Sequence, residues 1–272
     1  MNNLYWQVTE SKEPAIKLYL YNAYYDNRIW GKPVVKIITT TDQQVEVETR
    51  KWWCLLWFDD FKSPVLSKIT DFYTVFPEYW NFGVAKGVYG PQVATCEIPS
   101  SYINQVPQAI SIQATAECSK MNPHPDNALR VIYNTRKTGK MSKPSIGICV
   151  QAFRFGTYDV SVRLVEWLEM VKLMGADQVY FYVYGATPNM LKVLKYYSEK
   201  EIGGKFWPQE LLELNDCLYR NLYTHDYVAI FDIDEMIMPQ TVDNWHQLLE
   251  NVQQKLSNKD KKEKAYFVNR HA

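Results

Sequence analysis

The stretch "YVAIFDIDEMIMP" (227–239) runs apolar to Phe231, then places Asp232, Asp234 and Glu235 within four positions. Two carboxylates two residues apart on extended chain point the same way, and at the end of a buried strand they repel unless a cation lies between them. Ligands that offer only oxygen select a hard ion, Mg²⁺ or Mn²⁺. Such an ion completes its shell with phosphate oxygens, so the chemistry implied is a diphosphate held by metal, with the metal easing departure of a phosphate leaving group. A lone Asp-x-Asp also has a plainer reading, in which one Asp caps the next turn and Glu235 is solvated. Haloacid-dehalogenase phosphatases carry Asp-x-Asp after an apolar strand as well. There the motif continues with Thr or Val and opens the first strand of the domain, whereas here Glu-Met follows and the strand is late in the chain.

A carboxylate pair of this kind needs strands to carry it, and the alternation of elements after residue 143 supplies them. "PSIGICVQAF" (144–153) and "QVYFYVYG" (178–185) are continuous apolar runs, the pattern of strands covered on both faces. "YDVSVRLVEWLEMVKLMG" (158–175) reads as a helix with Val160, Leu164, Leu168 and Val171 in line and Gly175 just past its end. Thr187 and Pro188 suit the N-cap and first position of the next helix, "PQELLELNDCLYRNLYTH" (208–225) makes a third, and "NWHQLLENVQQKL" (244–256) a fourth. "AYFVNR" (265–270) starts a further strand. Strands alternating with helices predict an open, largely parallel α/β sheet, which binds ligands at the carboxyl ends of its strands.

Residues 1–143 follow another rhythm. Short β-favouring runs such as 16–28, 33–41, 52–58, 82–99 and 109–117 are separated by Asp, Asn, Gly, Pro and Ser, and the pattern predicts a small antiparallel β domain. A polar connector, 119–144, ends it. Two domains are therefore expected, 1–143 and 144–272.

Composition excludes more than it assigns. Thirty basic residues balance thirty acidic ones, so no global field favours nucleic acid or an anionic membrane. No apolar run reaches the ~20 residues of a membrane helix. The five cysteines, at 54, 96, 118, 149 and 217, include no Cys-x-x-Cys pair, which argues against a zinc site. Cys149 and Cys217 sit in apolar, regular segments and read as buried thiols. One disulfide among Cys54, Cys96 and Cys118 is open in an oxidising compartment. Twenty Tyr and nine Trp fit aromatic packing in β structure, with sugar-stacking platforms as the sharper alternative.

The segments "NDCLYRNLYTHDYVAIFDIDEMIMP" (215–239), "GICVQAFRFG" (147–156) and "VEWLEMVKLMGADQVYFYVY" (165–184), preceded by "YLYNAYYDNR" (19–28) and "PVVKIITTT" (33–41), together resemble glycosyltransferase family 92. The resemblance implies a GT-A-like, Rossmann-type and mostly parallel sheet behind the small β domain. It also implies Mn²⁺ dependence, inverting transfer of galactose from a UDP-sugar donor to a glycan acceptor, and a type II membrane protein of the Golgi. By position, Asp234 would ligate the metal with the diphosphate, and Asp232 would meet the ribose hydroxyls and the metal shell. Gln151, Ala152 and Phe153 would edge the uracil pocket. Asp216 and Arg220, one helical turn apart, either face the donor or form an i,i+4 salt bridge. The chain departs from the family pattern in lacking an N-terminal anchor, in a short stretch at 199–213, and in stopping at Ala272. An acceptor half with the catalytic base is expected beyond that point, and none of Asp243, Glu250, Glu263 or His271 is assigned as that base. The accompanying expectation is weak UDP binding and little sugar transfer by these 272 residues, with a catalytically inactive, donor-binding or structural relative as the alternative.

Overall fold

The computed structural model describes residues 3, 5–12, 15–28, 31–42, 52–59, 63–75, 87, 89–114, 125–135, 143–151, 153–197 and 210–256. It divides into two compact units. The first is Met1–Lys137 with Trp207–Thr224, and the second is Thr138–Phe206 with His225–Ala272.

The first unit is a barrel. Its strands are β1 (Gln7–Lys12), β2 (Ala15–Asp26), β3 (Val34–Asp42), β4 (Trp53–Trp57), β5 (Val65–Thr74), β6 (Tyr89–Glu97), β7 (Ala109–Gln113) and β8 (Leu129–Ile132). The ladder runs β2-β3-β6-β5-β4-β7-β8, and pairing of β8 with β2 closes it. That closing pair is parallel, Ala23 opposite Val131 and Tyr24 opposite Ile132, whereas the other barrel pairs are antiparallel. β1 runs antiparallel along the first half of β2. Closure leaves no long unpaired edge, the liability of an open sheet. Ile16, Leu18 and Leu20 of β2 point inward with Val35, Ile37, Leu56, Ile110, Ile112 and Leu129. A register shift between Leu20 and Asn22 then flips the strand's parity, so Ala23 and Tyr25 take the inner positions and Tyr21 and Tyr24 the outer ones. Asn127 closes a gap in the ladder, its side chain accepting from Ile112 N–H and donating to Ile112 C=O, each at 2.8 Å. A disulfide joins Cys54 and Cys96 inside the barrel.

The helix Glu210–Asn221 (α3) also belongs to this first unit. Its Leu212 and Tyr219 cover Tyr21, Tyr24 and Ile38 on the barrel's outer face. The sequence places this helix among the α/β elements, but the fold gives it to the barrel.

In the second unit β9 (Ile146–Val150) lies between β11 (Gln178–Tyr180) and β13 (Tyr227–Phe231), parallel to both. A further parallel pair joins β10 (Phe153–Arg154) to β12 (Val183–Gly185). The run 178–185, read as one strand, is thus two short ones. Ile146, Ile148 and Val150 share a core with α1 (Ser161–Met174), α2 (Pro188–Tyr197) and α4 (Trp245–Leu256). The α1 stripe is buried at Val160, Leu164, Leu168 and Val171, as the spacing requires, with Trp167 beside it. Gly175 ends α1 at φ 109°, and its missing Cβ leaves room for the His246 ring, whose Nε2 would lie 2.9 Å from such an atom.

The expected fold class is overturned. The structure is mostly β: a closed seven-strand mixed barrel dominates it, with four α-helices among the described residues. It is not a GT-A-like, Rossmann-type, mostly parallel α/β sheet. Among the described residues, parallel pairing is confined to one three-strand and one two-strand sheet plus the pair that shuts the barrel. Helical periodicity after residue 143 reports local structure correctly but says nothing of closure, which depends on pairing between residues more than a hundred positions apart. Cys149 and Cys217 are buried as expected, but both are disulfide-bonded rather than thiols. The expected strand 265–270 lies outside the described residues.

Candidate functional site

β13 ends at Phe231, and the following turn is built around Ile233, 7% exposed and packed into the core of the second unit. Ile233 and Asp234 are the central residues of that turn, so strand alternation ends at Phe231; Asp232 is half-buried and Asp234 exposed. The turn is closed from both sides: Glu235 N–H donates to Asp232 C=O at 3.1 Å, and Asp232 N–H donates to the Glu235 carboxylate at 3.3 Å. Glu235 therefore shapes the turn. The Asp234 carboxylate is exposed and makes no hydrogen bond or ion pair among the described residues.

Two indoles hold the segment that follows. Trp167 of α1 donates to Glu235 C=O at 2.9 Å, and Trp245 of α4 donates to Ile237 C=O at 2.7 Å. Trp245 also packs on Phe231, ring centroids 5.8 Å apart.

Gln151 N–H donates to Phe231 C=O at 3.1 Å, so the end of β9 lies beside the start of the turn, with the Gln151 side chain half-buried. Phe153 goes elsewhere: it is 1% exposed, packed against Phe155 and Phe181. The outward residue of β10 is Arg154, whose guanidinium stands 5.3 Å from the Tyr184 ring centroid. Arg154 is exposed and has no carboxylate partner among the described residues. Strand alternation alone separates Phe153 from Arg154 and would have found the latter. Ala152 lies outside the described residues.

Asp159 stands ahead of α1, accepting from Ser161 N–H at 2.9 Å and from the Asn189 side-chain amide of α2 at 2.8 Å. These bonds, the Ser161 N–H first, hold its carboxyl below the usual value. One carboxylate thus serves the beginnings of both helices, where backbone N–H groups would otherwise attract an anion. Arg154 adds an exposed positive charge at the end of β10.

Asp216 and Arg220 lie in the barrel unit. Asp216, 1% exposed, accepts from Asn22 and Tyr24, and Arg220 reaches it through two hydrogen bonds of 3.1 Å, the i,i+4 pair. The bonds that Asp216 accepts from Asn22 and Tyr24 fasten α3 to β2, and Arg220 forms the i,i+4 salt bridge with it.

At the amino ends of the parallel strands, Ser145 Oγ meets His225 Nδ1 at 2.6 Å and Tyr180 O–H meets Nε2 at 2.8 Å. The ring lies over Gly147, where a Cβ would come within 2.6 Å of it. Ser145 is 4% exposed, and Asp226 and Asp177 accept the backbone N–H groups of Ser145 and Ile146. Burial pushes the Tyr180 hydroxyl up to about 12. This cluster fixes strand register. No motif marks it, since its members are scattered over eighty residues.

Among the described residues no group of three or more His, Cys, Asp or Glu side chains could hold a metal by itself. Asp232 and Asp234 offer carboxylate oxygen only, which fits a hard cation that draws its remaining oxygens from a bound ligand.

Residues 145–271 match the model of glycosyltransferase family 92. The chain is also similar to beta-1,4-galactosyltransferase galt-1 of Caenorhabditis elegans, 31% identical over 108 residues that cover 35% of this chain and 25% of the relative. The chain thus spans about a quarter of the length of that curated relative. The family 92 match includes α1, α2, β13 and the Asp232–Asp234 turn, and it also includes α3, the helix that the fold gives to the barrel.

Proposed function

We propose that this chain carries the donor-binding part of a metal-dependent, inverting glycosyltransferase that takes galactose from UDP-galactose to a glycan acceptor. The observation that carries the reading is the Asp234 carboxylate, exposed and without a partner among the described residues, at the end of a parallel strand inside the family 92 segment. An acid left uncompensated beside a second one is poised for a cation rather than for the fold.

Asp234 would ligate Mn²⁺ or Mg²⁺ directly, and Asp232 would reach the ribose hydroxyls and the ion's shell. Glu235 keeps the two in register through the turn. Gln151 borders the uracil, and Arg154, oriented by Tyr184, brings positive charge to the diphosphate. When bound, the metal offsets the charge that develops on the departing UDP. Inversion also needs a base on the opposite face of the sugar, and no described residue is assigned to it. The Cys54–Cys96 disulfide supports an oxidising compartment such as the Golgi lumen. Among the described residues no helix is long and apolar enough to cross a membrane.

Calorimetric titration of UDP with and without Mn²⁺ tests the reading. Binding that appears only with the metal, and competition by UDP-galactose, are expected. Equal UDP affinity in the presence of Mn²⁺ and of a chelator would refute it.

A further inference from the structure

Residues 232–239, which follow β13, form no helix or strand, yet a carboxylate pair that serves a metal must hold its geometry to within roughly 0.5 Å. Backbone hydrogen bonding does not supply that rigidity beyond the first turn, where Glu235 N–H meets Asp232 C=O. The indoles do. Trp167 and Trp245 are each 5% exposed, come from different helices, and donate to Glu235 C=O and Ile237 C=O, two acceptors on either side of Met236. Buried indoles of this kind rarely leave the N–H unpaired, and the bond they make fixes the ring and the acceptor alike. Ile233 pins the same segment from the core side.

We propose that Trp167 and Trp245 are positioning residues for the Asp232–Asp234 turn, acting through their N–H groups as a two-point clasp on its backbone. Neither side chain need touch a ligand. Each stops the carbonyls at 235 and 237 from turning to water, and with them the peptide planes that aim Asp234. The inference rests on the donor-site reading for its functional consequence, but not for the clasp itself.

The test compares Trp167→Phe, Trp245→Phe and the double variant with Leu194→Ala, a truncation on α2 in the same core, 2% exposed and away from the turn. Phenylalanine keeps an aromatic ring but has no N–H to donate. Amide exchange of the 232–239 peptide in metal-free protein should accelerate about 10-fold in each Trp variant and stay at the wild-type rate in Leu194→Ala, although the latter lowers Tm at least as far. Mn²⁺-dependent UDP affinity should fall about 10- to 100-fold in the Trp variants, the range typical of lost support around a metal ligand, and hold in Leu194→Ala. Wild-type exchange in both Trp variants would overturn the clasp. So would equal acceleration in Leu194→Ala, which would mean general loosening. If the wild-type protein binds no UDP with Mn²⁺, the proposed function fails, while the exchange experiment still decides the clasp.

Discussion

The two units treat their carboxylates in opposite ways. In the barrel unit, Asp216 is 1% exposed and surrounded by donors from Asn22, Tyr24 and Arg220, and Asp26 is held by both guanidinium and backbone N–H of Arg28. In the second unit, Asp234 stands in solvent with nothing beside it to balance its charge among the described residues. A compensated acid in a core holds the chain in place, and an uncompensated one at a strand end is available to something outside the chain. From the sequence, Asp216 could either face the donor or pair with Arg220, whereas Asp234 is expected on the metal; burial and hydrogen-bond partners tell the two acids apart.

That contrast can be broken most forcefully at Asp216. Asp216→Ala leaves Asn22, Tyr24 and Arg220 facing an empty acceptor, and should destabilise the protein by about 3–5 kcal/mol, read as the loss in chemical denaturation. Measured below the lowered melting temperature, UDP affinity should be unchanged. A drop in affinity with the fold intact would restore Asp216 to the donor site and dissolve the distinction.

Asp234→Asn is the converse. It should reduce Mn²⁺-dependent UDP affinity by about 100-fold, or roughly 2.7 kcal/mol, because an amide lacks the charge that binds a hard cation. The melting temperature should move by less than about 1 °C, since the group is exposed and carries no contact. Unchanged affinity in this variant would remove the metal from the turn.

The smallest effect sharpens the barrel side. Burial alone would raise the Asp26 carboxyl, but the hydrogen bonds and charge of Arg28 bring it below its ordinary 3.8. A depressed carboxylate stabilises the fold above its unfolded value, and that contribution disappears as pH falls through the folded value. Asp26→Asn should therefore lower stability by about 1 kcal/mol at pH 7, a modest figure because Arg28 is half exposed. It should also flatten the acid limb of a Tm-versus-pH curve below pH 4. An acid limb identical to wild type would show that the Asp26–Arg28 pair contributes nothing.

Local features of the fold were legible, and closure was not. The α1 stripe, Gly175 at its end and the Thr187 cap, whose hydroxyl accepts from Met190 N–H at 3.3 Å, all follow from spacing and residue type. The barrel hides because its decisive pair, β2 with β8, joins residues 108 positions apart at Ala23 and Val131. The one-residue bulge in β2 hides it further by breaking the alternation that would mark an inner face. At the candidate site, Asp232 and Asp234 are readable because three acids interrupt an apolar run. Trp167 and Trp245 are not, because an indole in a helical stripe looks like any other core residue until its N–H is seen to find an acceptor. Phe153, expected at the edge of the uracil pocket, is buried, while its neighbour Arg154, to which the sequence assigned no role, is exposed, as strand alternation requires.

The placement of α3 has a consequence for synthesis. The barrel's last strand ends at Ile132, and the helix that covers Tyr21, Tyr24 and Ile38 begins at Glu210, 78 residues later (210 − 132). At about 5–20 residues per second a ribosome needs roughly 4–16 s to bridge that interval. Throughout it, an otherwise closable barrel presents an aromatic face to the cell, together with the amide of Asn22, whose acidic partner has yet to be made. Cover for that face of the barrel therefore waits for residues that lie inside the segment matched by the family 92 model.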